Sequence, residues 1–336
     1  MKIDWEKLGF EFMPVKSNIR YHYANGKWSA GQLYNDDSLT LSIASNCLHY
    51  GQAAFEGLKA FTCKDGKVRC FRPTENAKRL NSSISHLLMP EIPEAMFLDA
   101  VNRVVKDNID YVPPYGTGGA LYIRPVIIGT SAQIGISASE EYEFIILVVP
   151  VGPYYKNGIK PVDAYLVEEF DRAAPAGTGH IKIAGNYAAS LSPTKLAKAK
   201  GCSVALFLDA ATHNYIEEFG TSNFIAITQD GTYITPESPS ILPSITNISL
   251  IELAERSGIK VERRPVHKDE LAEFIEVGAC GTAVVITPIG HIIHQSKDYN
   301  YGSEMGPVLR KLYDMVTGIQ YGEQPDELGW MMEIER

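Results

Sequence analysis

Nowhere does the chain hold an uninterrupted apolar run approaching the ~20 residues that a membrane-spanning helix requires. Its opening stretch, MKIDWEKLGFEFMP, is acidic and carries no long apolar segment, so no secretory signal is expected there. Cysteine is scarce. The five thiols, Cys47, Cys63, Cys70, Cys202 and Cys280, are odd in number and show no metal-ligand spacing. That argues against both a disulfide framework and a zinc site, and free thiols in a reducing cytoplasm are expected instead. Cys63 and Cys70 flank a Lys-Asp-Gly turn, which would set them on facing strands. Positive charge is also in deficit. With 31 Lys and Arg against 40 Asp and Glu, the formal net charge of -9 disfavours a nucleic-acid platform, whose affinity rests on neutralising phosphates. Neither an internal repeat nor a low-complexity segment is present.

What remains is ordinary globular composition over 336 residues, 45% apolar and 21% charged, long enough to bury a large core and to form two domains. Asn25-Gly26 and Lys64-Asp65-Gly66 read as hairpin turns, because glycine accepts the positive φ such turns need. Residues 60–71 read strand, turn, strand. Apolar residues at helical spacing predict helices over 75–89, ended by Pro90 and Pro93, and over 95–108. Strands are expected at 120–128, 144–151, 205–209, 224–228 and 232–235. Further helices are expected at 187–200, 246–257 and 304–317. PYYKNGIKP, with two prolines and an Asn-Gly turn, is the best linker. The expected organisation is therefore an N-terminal domain over 1–152, a linker over 153–161 and a C-terminal domain over 162–336. Both halves read as α+β rather than as a doubly wound sheet.

Five segments hold residue types that could carry chemistry. In GTGHIKIAGNYAAS, Lys182 lies between two isoleucines within a run of Gly and Ala. Small residues permit close approach, and apolar neighbours favour the neutral amine that Schiff-base formation requires, although a solvated loop lysine would read the same. EEFGTSNFIAI offers Glu217 or Glu218 as the anion that a pyridinium ring nitrogen needs, or a plain turn carboxylate. In LPSITNISLIELAERSG the unpaired N–H groups near Ile245 and Thr246, the helix dipole and the Thr246 hydroxyl make a phosphate seat, or a simple N-cap. CGTAVVITPIG supplies Thr282 and Ala283 at a strand-to-turn junction. In CFRPTENAKRL, Arg72 stands between a strand and a helix, where its planar fork suits phosphate or a surface ion pair.

Taken together, LHYGQAAFEGLKAF, FRP, LYIRPVIIG, GNYAAS, EEFGTSNF, LPSIT and GTAVVITPIG closely resemble the branched-chain amino-acid aminotransferases, in the fold-type IV group of pyridoxal-phosphate enzymes. The resemblance spans about Ser42 to Tyr321. It implies a two-domain, D-amino-acid aminotransferase-like architecture: a smaller N-terminal α/β domain and a larger C-terminal domain with a strand-rich core that carries the lysine. It also implies a cytoplasmic homodimer with its site near the domain boundary, touched by the partner subunit. Lys182 would be the Schiff-base lysine. Glu218 would pair with the pyridine nitrogen of pyridoxal 5'-phosphate, and Tyr187 would bond its phenolic oxygen. Arg72, the Ile245 N–H, Thr246 and Thr282 would hold its phosphate. Tyr50, Phe55, Tyr122, Arg124, Tyr154, Thr282 and Ala283 would shape the substrate pocket.

The implied reaction is reversible amino transfer between leucine, isoleucine or valine and 2-oxoglutarate, giving glutamate in a ping-pong cycle. A D-amino-acid aminotransferase or an aminodeoxychorismate lyase would share the lysine and phosphate seat. The LHYGQAAFEG and LYIRP segments and the chain length argue against both, and the retained Lys182, Tyr187 and Glu218 argue against a catalytically silent binding protein. Some eukaryotic family members carry a redox Cys-x-x-Cys after the Gly-Thr-Ala segment. Val284 and Thr287 stand there in this chain, so no such thiol switch is expected.

Overall fold

The computed structural model describes residues 3–153 and 158–335. It divides into two compact units, Met1–Tyr154 with Lys182–Ala184 and Gly318–Arg336, and Tyr155–Ile181 with Gly185–Thr317.

The first unit is built on a nine-stranded sheet. Its strands are β1 (Asn18–Ala24), β2 (Lys27–Trp28), β3 (Gln32–Tyr34), β4 (Ala53–Phe55), β5 (Leu58–Thr62), β6 (Val68–Phe71), β7 (Ala120–Gly129) and β8 (Tyr142–Val151), joined by a C-terminal strand, Met331–Glu333. Every pairing in it is antiparallel. Strand β7 shows the two-residue alternation of a sheet with two different faces. Leu121, Ile123 and Ile127 are fully buried, while Tyr122, Arg124 and Val126 share the other, half-buried face. The helices of this unit are α1 (Asn46–Tyr50), α2 (Pro73–His86) and α3 (Glu94–Asp107). Ala77, Leu80 and Ile84 of α2 and Phe97, Val101, Val104 and Val105 of α3 are buried at helical spacing. Phe97 of α3 stacks on Phe144 of β8, their ring centroids 6.2 Å apart.

The second unit holds a ten-stranded sheet of β9 (Val162–Val167), β10 (Val204–Leu208), β11 (Tyr215–Phe219), β12 (Ser222–Thr228), β13 (Tyr233–Pro236), β14 (Val261–Arg264), β15 (Val266–His267), β16 (Phe274–Gly281), β17 (Val285–His294) and β18 (Lys297–Asn300). Strands β12, β16, β17, β9, β10 and β11 pair in that order, and β11 pairs back to β12, closing a ring. Closure removes the free edges these six strands would otherwise expose. Apolar side chains from this sheet, including Leu166, Leu206, Phe219, Phe224 and Ile289, form one core cluster. The helices are α4 (Ala184–Ala189), α5 (Leu191–Ala199), α6 (Ile245–Arg256) and α7 (Pro307–Gln320). Ala197 of α5 packs with Tyr165, Val167 and Phe207 in a second cluster.

Three expectations differ from the structure. The helix expected over 75–89 begins at Pro73, the position where a missing N–H costs nothing, and stops at His86 before either proline. Leu87 and Leu88 break it, Leu88 with a left-handed φ of 54°. The helix expected over 187–200 is two helices parted at Ser190, whose N–H and hydroxyl both donate to the Tyr187 carbonyl. Pro193 accounts for the break, because proline cannot continue a helix whose carbonyl four residues back it would strike. Finally, residues 182–184 and 318–336, expected in the C-terminal domain, lie with the first unit. Met331–Glu333 pairs with β6 and Ile183 bridges Ala54, and these ladder hydrogen bonds outweigh chain position.

Candidate active site

In the first unit, Lys182 is pinned by its backbone. Its N–H donates to the Ser83 hydroxyl on α2 at 2.9 Å, and its carbonyl accepts from the Phe55 N–H at 3.1 Å. The flanking Ile181 and Ile183 are buried, while Lys182 is half-buried with its Nζ 4.9 Å from the Phe55 ring centroid. Phe55 therefore gives the amine an aromatic neighbour. On its other contact it meets Arg124, whose guanidinium lies 4.8 Å from the same ring. Arg124 Nη2 donates to Tyr122 Oη at 2.9 Å, and its Nε is buried with no hydrogen-bond partner. A buried, unmatched donor among aromatic rings is costly unless an acceptor reaches it, which marks Arg124 as a candidate for binding an anion. Gly57 is required here, because a Cβ on it would collide with Tyr122 Oη.

Sequence reasoning missed two neighbours of this cluster. Phe10 packs edge-on against Tyr122 at 5.4 Å, and Lys59, opposite Tyr122 across β5 and β7, has its Nζ 5.9 Å from the Phe10 ring. Burial depresses the Lys59 ammonium to about 8. The alternation of β5 could have placed Lys59 beside Tyr122. Nothing in the sequence pointed to Phe10, which precedes the first strand.

Arg72 is the N-cap of α2, in a left-handed conformation with φ 47°. Such a backbone is strained for any residue with a Cβ, and strain of this kind gathers at ligand sites. Its guanidinium lies 4.6 Å from the Trp330 ring centroid. Tyr50 belongs to a different cluster. It ends α1, is exposed, and donates its hydroxyl to the Ile134 carbonyl. Tyr154 lies outside the described residues.

In the second unit, both candidate glutamates sit at a β-bulge. Leu206 faces Phe219 and Leu208 faces Ile216, so Glu217 and Glu218 together oppose Phe207 alone. A bulge bends the strand and re-aims its side chains, and both carboxyls end up buried. Glu218 is surrounded by donors: the Arg172 guanidinium at 2.8 Å, the Leu242 N–H at 3.0 Å and the Asn223 amide at 2.9 Å. Burial pushes its carboxyl above the ordinary range, opposed by these three partners. Glu217 is likewise raised by burial. It accepts from the Ser238 hydroxyl, and its second oxygen has no partner. The structure thus separates the two, since Glu218 has the ion pair. Arg172 was not picked out from the sequence. Ten residues before Lys182 and far from Glu218 in the chain, it offered no local signal.

Ile245 and Thr246 open α6 and are buried, behind Ser244, whose hydroxyl accepts from the Asn247 N–H at 3.2 Å. Thr282 and Ala283 lie in the turn between β16 and β17. Two residues after Ala283, Val285 has φ 69°, an unusual conformation for a β-branched residue. Tyr187 is half-buried on α4.

Residues 53–292 match the family model of the class IV amino-transferases. The chain belongs to the class IV aminotransferases. Among its relatives, the branched-chain-amino-acid aminotransferase of Haemophilus influenzae is 46% identical over 99% of both chains. That of Helicobacter pylori is 47% identical over 99% of this chain and 98% of its own. The fold is that of the solved branched-chain amino acid aminotransferase of Escherichia coli, which shares 26% identity at a TM-score of 0.75 and covers 96% of this chain and all of that one. A solved branched-chain amino acid aminotransferase from Thermobaculum terrenum, in its PLP-form, has the same fold, with a TM-score of 0.79 at 24% identity over 96% of this chain and 99% of that one.

Class IV aminotransferases use pyridoxal phosphate, and the residues of this one fit it. The requirements are an amine shielded from water, a buried carboxylate held as an anion and unpaired donors for a phosphate. Within the first unit, Lys182, with its Nζ against the Phe55 ring, is a candidate for the amine and Arg72 a candidate phosphate ligand; within the second, Glu218, paired with Arg172, is a candidate for the carboxylate and the N-terminus of α6 a candidate source of phosphate donors.

Proposed function

We propose that this aminotransferase moves amino groups reversibly between L-leucine, L-isoleucine or L-valine and 2-oxoglutarate. The observation that carries the reading is near-half identity, end to end, with proteins named for that activity. The Phe55, Tyr122 and Arg124 cluster supports it. One pocket must take an apolar branched side chain and, in the second half-reaction, a carboxylate. Aromatic area serves the first, and the unmatched Arg124 Nε with the Tyr122 hydroxyl serves the second. By the family resemblance Tyr50, Tyr154, Thr282 and Ala283 are further candidates for substrate contact, each testable by substitution. Leu, Ile and Val should be poorly separated, since one methylene is worth only about 1–3 kcal/mol.

When bound, pyridoxal phosphate supplies an electron sink for the charge left at the substrate Cα. Lys182 Nζ would hold it, and would take the substrate Cα proton and return it. Glu218, paired with Arg172, would hold a proton on the ring nitrogen. Tyr187 would donate to the phenolic oxygen. Arg72, Thr246, Thr282 and the Ile245 N–H would be the candidates for the phosphate oxygens.

A cytoplasmic homodimer is part of this reading. The five cysteines are free, as a reducing compartment would leave them. Among the described residues no helix is long and apolar enough to cross a membrane. Ile43, Leu48, Tyr50, Ile134 and Ile136 are exposed around α1 and the segment it bonds to, an apolar patch suited to a second copy.

The deciding experiment pairs Lys182→Ala with a substrate panel. The variant should lose the yellow absorbance and all turnover, and the parent should prefer L-leucine to D-alanine as amino donor. Turnover retained by the variant, or a preference for D-alanine, would refute the reading.

A further inference from the structure

Beside Lys182 lies a charged group that amino transfer does not itself call for. Glu56, in the corner between β4 and β5, is completely buried. Arg79 of α2 grips it with two parallel bonds, Nε to Oε1 and Nη2 to Oε2, both 2.7 Å. Asn76 of α2 adds a third donor at 2.7 Å and the Gly57 N–H a fourth at 3.2 Å. One turn further along α2, the buried Ser83 donates its hydroxyl to the Arg79 carbonyl and accepts the Lys182 N–H. Glu56 also follows Phe55, whose N–H holds the Lys182 carbonyl and whose ring lies under the Lys182 amine. The carboxylate is close enough to Lys182 for their charges to interact, and Arg79 and Lys182 together hold it anionic against its burial.

A buried ion pair is a poor device for stability, because well-packed apolar residues of equal volume serve as well or better. Its placement here serves the lysine. We propose that Glu56, Arg79 and Ser83 are positioning residues for Lys182. Ser83 fixes the lysine backbone, and the Glu56–Arg79 pair balances the charge that faces its amine. This rests on Lys182 being the cofactor lysine. Among the described residues, the charged groups near that amine include Glu56 from the β4–β5 corner, held by Arg79 from α2, and Arg124 from β7, whose guanidinium meets the same Phe55 ring.

Two single changes should then push Lys182 in opposite directions. Glu56→Gln removes the negative charge that balances Arg79 and disfavours a proton on the Lys182 nitrogen. Arg79→Gln leaves Glu56 uncompensated and favours it. In the holoenzyme, the pH midpoint of the visible absorbance reports that proton. It should fall in Glu56→Gln and rise in Arg79→Gln, each by about one pH unit, the scale of a single neighbouring charge. The double variant should return close to the parent midpoint. Shifts of the same sign, no shifts, or a double variant displaced as far as either single would overturn the charge balance; a purely structural pair gives no reason for opposite signs. Should the glutamine variants fail to fold, Ser83→Ala carries the test. With the melting temperature unchanged, its dissociation constant for pyridoxal phosphate should rise severalfold, and an unchanged constant would overturn the positioning. Lys182→Ala separates the two readings. If it keeps the absorbance, Lys182 is not the cofactor lysine. If it loses the absorbance while the other variants behave as the parent, only the present inference fails.

Discussion

Replacing Arg172 by methionine strips the buried Glu218 of its counter-charge and leaves a side chain of similar length. In the parent, the pair is 2.8 Å apart with side chains only 7% and 5% exposed, so water cannot substitute for the lost partner. Removing one member of a buried pair costs about 3–5 kcal/mol, because the other stays buried and uncompensated. Arg172 also donates to the Gly179 and Ser240 carbonyls. These bonds, worth about 1 kcal/mol each, place the expected loss near the upper end of that range. The cost should depend on pH with a definite sign. Burial already raises Glu218, and losing Arg172 raises it further. A carboxyl raised on folding brings no penalty below its unfolded value of about 4.3, where both states hold the proton. From there the variant should lose up to about 1.4 kcal/mol per pH unit until its raised folded value is reached. Urea unfolding of the apoprotein from pH 5 to pH 8, followed by circular dichroism, measures this directly. Adding Glu218→Gln should recover most of the stability and flatten the pH dependence. A loss as large at pH 5 as at pH 8, or a double variant no better than the single, would show that Arg172 does not act through Glu218.

Three further outcomes are expected. Arg124→Ala should raise KM for 2-oxoglutarate tenfold or more, by about 1.4 kcal/mol of lost binding, and change that for leucine far less; equal losses in steady-state kinetics would make Arg124 merely structural. Lys59→Met should stabilise the protein at neutral pH, because burial holds the Lys59 ammonium near 8, well below its unfolded value of about 10.4. The parent gains stability as pH rises between those values, so the advantage of the variant should shrink toward pH 10, and thermal melts that show no such convergence would contradict it. Burial raises the Cys70 and Cys280 thiols strongly and leaves only Cys47 partly exposed. Cys47 should therefore be the first thiol modified by a chromogenic disulfide in the native protein, with Cys70 and Cys280 reacting only after unfolding.

Local chemistry announced itself in the sequence. The alternation of β7 set Tyr122 and Arg124 on one face, the strand–turn–strand of residues 60–71 came out as β5 and β6, and capping residues marked α6, because turns, caps and strand faces depend on near neighbours. Segment order and wording also pointed to the family. Other features needed tertiary structure, for a physical reason: they depend on groups far apart in the chain. Glu217 and Glu218 are equivalent as a dipeptide, and only the bulge opposite Phe207 and the arrival of Arg172 tell them apart. The pairing of Met331–Glu333 with β6 drew the end of the chain into the first unit. Glu56 met Arg79 only when α2 docked beside β4, a contact that neither period nor composition encodes.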